Sequence, residues 1–128
     1  MSAKRVLIVD DNELNLELAS FLLTSEGLEV ATAPDGESAL AQVAAFQPDL
    51  VLMDIQLPEI DGLEVTRRLR ADPATRSLII IAFTAYAMKG DEDRMRAGGC
   101  DGYLSKPIDA AEFASKVKAF LAGSDTLS

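Results

Sequence analysis

Five short apolar runs alternate with segments of helical periodicity, and that alternation limits the folds open to this chain. The runs are Arg5–Val9 (RVLIV), Leu28–Ala33 (LEVATA), Leu50–Met53 within Asp49–Pro58 (DLVLMDIQLP), Leu78–Phe83 (LIIIAF) and Gly102–Ser105 (GYLS). Short apolar runs bounded by turn residues suit strands buried on both faces. The intervening segments read as helices. Glu13–Ser25 carries Leu14, Leu18, Phe21 and Leu22 on one face, with Asn12 as N-cap and Gly27 at the C-cap. Glu37–Phe46 follows a Pro34-Asp35-Gly36 turn, has Ala39, Leu40, Val43 and Ala44 as apolar residues, and stops at Pro48. Leu63–Arg70 turns Leu63, Val65 and Leu69 inward and Arg67, Arg68 and Arg70 outward, and Asp72-Pro73 breaks it. Met88–Ala97 is polar and mobile, with Lys89, Arg94 and Arg96 forming an ordinary exposed face, and Gly98-Gly99 ends it. Asp109 caps a last helix through Leu121, with Phe113, Val117, Phe120 and Leu121 apolar.

Strands and helices in strict alternation predict a parallel sheet with helices on both faces. The right-handed crossover rule leaves few ways to wind it. The polar second strand belongs at one edge and the short fifth at the other. The expected fold is therefore a doubly wound, five-stranded α/β domain of strand order 2-1-3-4-5, spanning 1–123, with 124–128 as a frayed tail.

At 128 residues the chain is long enough for one domain with a sizeable core. No apolar run approaches the ~20 residues of a membrane span, and the N-terminus lacks a secretory h-region. One cysteine, Cys100, precludes an internal disulfide and fits a reducing cytoplasm. A formal net charge of −9 disfavours nucleic acid as a partner. The absence of His removes His-based catalysis and leaves hard cations held by oxygen as the natural metals.

The strand ends carry the chemistry. The first ends in Asp10-Asp11, the third in Asp54, the fourth in Thr84 and the fifth in Lys106. Taken singly, Asp54 reads as a strand cap, Lys106 as a solvated lysine and Tyr103 as an edge-strand aromatic. In a parallel sheet, however, all these ends lie along one edge, where open α/β sheets bind ligands. Three carboxylates at close range raise each other's pKa unless a cation neutralises them. Mg²⁺ suits the task because it takes few protein ligands and bridges to phosphate. With Lys106 and the Thr84 hydroxyl it would complete a phosphoryl receptor. The sequence has neither a GxxxxGK[ST] loop nor a GxGxxG turn, so the phosphoryl group is expected to land on the protein, on Asp54.

The blocks VLIVDDN, DLVLMDIQLPEIDGLEV, IIAFTAYAMKGDEDRMRAGGCDGYLSKPI and the last helix, together almost the whole chain, resemble the response-regulator receiver domains of two-component signalling, with their flavodoxin-like (βα)5 fold. DNELN, MDIQLPEIDGLEVT and FTAYAMKGDE are especially similar to DivK-type single-domain regulators and to receivers of hybrid histidine kinases. The resemblance implies that Asp54 accepts phosphate from a phosphohistidine on a histidine kinase or histidine phosphotransferase. It implies Mg²⁺ held directly by Asp11, mainly through water by Asp10, and also by Asp54 and the backbone carbonyl of Gln56. Lys106 would contact the phosphoryl oxygens, Thr84 would hydrogen-bond the bound phosphate, and Tyr103 would then turn inward. Gln56 and Tyr86 would tune phosphate lifetime, and the Lys106–Pro107 bond would be cis. Output would be a protein surface formed by the fourth helix, fifth strand and fifth helix, on a monomer or a phosphorylation-dependent dimer.

Two other classes compete. A haloacid-dehalogenase-type phosphohydrolase needs a second Asp two residues after its nucleophile, where this chain has Gln56. A flavin module is disfavoured by an acidic pocket and by 5% aromatics. A receiver cut from a hybrid kinase is a further alternative, against which stands Met1 so close to the first strand.

Overall fold

The computed structural model describes residues 3–85 and 89–122. Five strands and five helices alternate: β1 (Arg5–Val9), α1 (Glu13–Thr24), β2 (Glu29–Ala33), α2 (Gly36–Phe46), β3 (Leu50–Met53), α3 (Gly62–Ala71), β4 (Ile79–Thr84), α4 (Lys89–Ala97), β5 (Gly102–Ser105) and α5 (Phe113–Ala122). The strands form one sheet in the order β2-β1-β3-β4-β5, every pair parallel. The expected architecture and strand order therefore hold. The polar second strand is at an edge, its first four residues exposed or half-buried.

Side chains alternate between the two faces of the sheet, and both faces are covered. Leu7, Val9, Val51, Met53, Ile80 and Ala82 pack with Ala39 and Val43 of α2, Val65 and Leu69 of α3 and Met95 of α4. Val6, Ile8, Leu50, Leu52, Ile81 and Phe83 pack on the other side with Ala19 and Leu23 of α1 and Phe113, Val117 and Phe120 of α5. Among the described residues no helix is long and apolar enough to cross a membrane. Cys100 is free and buried, and burial pushes its thiol up to about 11.

Several local expectations need correction. On α1 the stripe Leu14, Leu18, Phe21 faces water, at 75, 41 and 66% exposure, while Ala19 and Leu23 are fully buried and Leu16 and Leu22 partly so. The helix bears two apolar stripes on opposite sides. The one with small Ala19 at its centre packs against the sheet, and periodicity alone cannot choose between them. On α2, Ala39, Leu40 and Val43 make the core contact and Ala44 is exposed. Arg70 is not outward but half-buried, drawn in by backbone carbonyls that need donors. Asp109 does cap, its carboxylate accepting from Ala111 N at 3.0 Å. It caps a preceding turn, however, and α5 itself begins at Phe113. The expected 124–128 tail and Met88, the expected first residue of the fourth helix, lie outside the described residues.

Candidate functional site

Strand register brings the site together. Val9 and Met53 are register partners across β1 and β3, so Asp10 and Asp54 leave the sheet side by side. Each extends the ladder by one bond: Asp10 N donates to Ala33 O at 3.1 Å, and Asp54 N to Val9 O at 3.0 Å. Thr84 pairs with Ser105, so Lys106 comes next, its N–H donating to Thr84 O at 2.8 Å. Asp10, Asp54 and Thr84 are buried, at 0, 4 and 1% exposure, while Asp11 faces water.

A single ammonium holds two carboxylates. Lys106 Nζ lies 2.8 Å from Asp10 Oδ2 and 3.1 Å from Asp54 Oδ2. Its charge also sits 5.1 Å from the centre of the Phe83 ring, a cation–π contact within the low-dielectric wall of the site. Asp54 Oδ1 accepts the Gln56 N–H at 2.9 Å, which fixes the carboxylate's rotation. The Gln56 side chain is exposed. Burial raises the Asp54 pKa, and the nearby Asp10 charge adds to this. The Gln56 N–H and the Lys106 charge act in the opposite direction without overcoming it. For Lys106, burial lowers the pKa, but the hydrogen bond to Asp10 and the charges of Asp54 and Asp10 more than offset this and leave it raised.

The loop after Asp54 is packed hard against it. Asp61 caps α3, its carboxylate accepting from Glu64 N at 2.9 Å. Gly62 N donates to Ile55 O at 2.9 Å, and a Cβ on Gly62 would lie 2.1 Å from the Asp54 carbonyl oxygen. Only glycine permits that approach.

One carboxylate oxygen from each of Asp10, Asp11 and Asp54 lies within 4.8 Å of the others. An all-oxygen set with mixed burial, counter-charged by one movable lysine, fits a hard divalent cation such as Mg²⁺. A cavity of about 690 Å³ lies between α2 and the α3–β4 connection and is lined by Leu40, Val43, Gln47, Arg68, Thr75 and Leu78. It contains none of these groups. We place the chemistry in the strand-end cleft, because a site is defined by its converging charges and not by volume.

Of the other residues singled out from sequence, Tyr103 is half-buried on β5 and packs against the core on the α2–α3–α4 side. The Lys106–Pro107 bond is cis. Tyr86 lies outside the described residues. Sequence reasoning missed Asn15, whose amide donates to Asp10 Oδ2 at 3.3 Å. Its position one helical turn after the Asn12 cap was the available signal. It also missed Phe83 beneath Lys106, for which no local signal exists.

The fold and the cleft define a doubly wound α/β protein with an acidic site at the point where strand order reverses. The response regulator receiver domain matches residues 6–118, and the chain belongs to that family. It is 49% identical over 118 residues to the polar-differentiation response regulator DivK of Brucella anthropi, covering 92% of this chain and 96% of the relative. A putative response regulator from Chloroflexus aurantiacus superposes with a TM-score of 0.88 at 35% identity, covering 94% of this chain and 99% of the other. The receiver domain of a Pseudomonas aeruginosa sensor histidine kinase, solved with a magnesium ion coordinated in its active-site cleft, gives a TM-score of 0.84 at 33% identity, covering 94% and 99%. The chain is a receiver-type response regulator of two-component signalling, similar to DivK.

Proposed function

We propose that Asp54 accepts a phosphoryl group from a phosphohistidine on a histidine kinase or histidine phosphotransferase, and that the phosphorylated chain signals through protein contacts. The observation that carries this reading is the shared ammonium: Lys106 bridges Asp10 and Asp54 at the end of the central strand.

Asp54 attacks phosphorus with its carboxylate oxygen. A P–O bond forms, the donor's P–N bond breaks, and the departing imidazole regains a neutral ring by taking up a proton. Gln56 N–H holds Asp54 at a fixed rotation for in-line attack. Lys106 leaves the two carboxylates and pairs with the phosphoryl oxygens, stabilising charge where it develops. Asp11, Asp54 and the Gln56 carbonyl, with Asp10 mainly through water, would hold Mg²⁺, which when bound would further neutralise those oxygens. Thr84 then donates its hydroxyl to the phosphate, and Tyr103 turns into the space that Thr84 leaves. Phosphate drives that change only by binding one state better than the other. Gln56 and Tyr86 tune the lifetime of the acyl phosphate against water. The output surface is α4, β5 and α5, and the chain acts as a monomer or a phosphorylation-dependent dimer. The receiver unit spans 1–123 and works in the cytoplasm as a phospho-acceptor, without catalytic turnover of other substrates.

The test is incubation with Mg²⁺ and a small acyl-phosphate donor, followed by intact-mass spectrometry. We expect one phosphoryl group per wild-type chain, none when Mg²⁺ is chelated, and none on Asp54→Asn. Steady release of phosphate from simple phosphate esters would instead restore the phosphohydrolase reading.

A further inference from the structure

The block Asp10–Asn15 (DDNELN) folds back on itself at the edge of the cleft. The Asn12 side-chain oxygen accepts Leu14 N at 2.9 Å and Asn15 N at 3.2 Å, which fixes the first turn of α1. From that turn the half-buried Asn15 side chain reaches back to Asp10 Oδ2 at 3.3 Å. An ionised carboxylate only accepts, so the group facing it is the Asn15 NH₂.

Asp10 is fully buried, and among the described residues its carboxylate has three partners. Oδ1 accepts Asn12 N at 2.9 Å. Oδ2 is shared by Asn15 Nδ2 and by Lys106 Nζ at 2.8 Å. The two donors to Oδ2 differ in permanence. Lys106 carries its charge on a flexible four-carbon stem and is needed elsewhere once a phosphoryl group arrives. Asn15 is short and anchored by its own backbone in the capped turn. When the lysine departs, Asn15 is the side-chain donor left to hold Oδ2.

We propose that Asn15 is a positioning residue: it keeps the Asp10 carboxylate turned toward the cation while Lys106 moves to the phosphoryl group. The inference rests on the reading of the cleft as a Mg²⁺-assisted acceptor site. It assigns Asn15 an effect on metal affinity and none on the reactivity of Asp54.

The experiment is calorimetric titration of Mg²⁺ into wild type, Asn15→Leu and Asn15→Gln without phosphodonor, paired with phosphorylation rates at limiting and saturating Mg²⁺. Leucine is near in size and helix-compatible, and glutamine keeps the NH₂ on a longer stem. Asn15→Leu is expected to weaken Mg²⁺ about tenfold, the scale of losing a partner behind a metal ligand. Its phosphorylation rate should fall at limiting Mg²⁺ and return to within about threefold of wild type at saturation, the split expected when only binding is impaired. Asn15→Gln should recover at least half of the lost binding energy. Mg²⁺ affinity of Asn15→Leu within about twofold of wild type would overturn the proposal, as would a saturating rate that stays low, or no recovery in Asn15→Gln. Absence of Mg²⁺ binding by wild type itself would refute the reading of the cleft, a result distinct from failure of the Asn15 assignment alone.

Discussion

Two largely buried cations stand at opposite ends of the sheet, and they differ in how completely they are satisfied. At the strand starts, Arg70 donates to Gly99 O at 2.9 Å, Arg76 O at 2.7 Å, Leu78 O at 2.5 Å and Asp101 Oδ2 at 2.8 Å. The same Asp101 oxygen accepts Ile80 N at 2.9 Å, so the network also ties down the start of β4. Gly99, at φ +106, brings its backbone so close that a Cβ there would meet Arg70 Cγ at 3.0 Å. At the strand ends, Lys106 faces two carboxylates that have no other cation beside them among the described residues. The planar guanidinium is matched to fixed carbonyls and one carboxylate, and has no reason to move. The ammonium is a point charge on a flexible stem holding together two groups that would otherwise repel. The first arrangement is a structural fastening. The second is a charge balance that a metal and a phosphoryl group can take over.

The largest expected difference is in rate. Lys106→Met should slow phosphorylation of Asp54 by about 10²–10³-fold, the scale for losing one electrostatic contact in a transition state. Arg70→Met, measured where it is folded, should stay within about threefold of wild type, because Arg70 touches nothing in the cleft. Equal losses in both variants would erase the distinction between the two ends.

Stability separates the two cations in another way. Arg70→Met leaves three carbonyls and Asp101 short of donors and should lose about 3 kcal/mol by urea unfolding, with or without Mg²⁺. Lys106→Met should also be destabilised near neutral pH, but Mg²⁺ should restore most of the loss by replacing the missing charge. Raising pH on wild type supplies a check on sign. The Lys106 pKa is raised on folding, so its contribution is fully present below the ordinary lysine value of about 10.5 and is lost as pH rises through the folded value.

Asp54 should also lower stability as pH rises, but for a different reason. Its folded pKa is also raised, but it is an acid. Ionising it therefore opposes folding, by nothing below the ordinary value of 3.8 and by a growing amount up to the folded value, above which the cost is constant. Metal-free Asp54→Asn should be more stable than wild type at pH 7 by about 1 kcal/mol, roughly 4 °C in melting temperature, with the gap closing in acid. The smallest effect is reserved for the outer stripe of α1. Phe21→Ser should change unfolding free energy by less than about 0.5 kcal/mol, since an exposed side chain leaves no cavity behind.

The contrast also explains what could be read from the sequence. The strand-end groups were legible because each sits at the boundary of a local apolar run. Parallel pairing then carries Asp10, Asp54, Thr84 and Lys106 to one edge whatever the details of packing. The strand order was legible from one polar strand and one short one. The role of Arg70 was not, because its partners are backbone carbonyls and an Asp supplied by two separate connections. The buried face of α1 was hidden by two stripes of equal periodicity, and only the fit of Ala19 against the sheet decides between them. Asn15 lay in between: its spacing from Asn12 was visible, but its contact depends on how the helix leaves β1.

The central claim is that, of three clustered carboxylates, Asp54 alone becomes the acyl phosphate. Borohydride reduction of the phosphorylated chain converts a phosphorylated aspartate into homoserine, which peptide mass spectrometry can locate. The account predicts homoserine at position 54 and unchanged aspartates at positions 10 and 11; homoserine at either of those positions, with Asp54 intact, would contradict it.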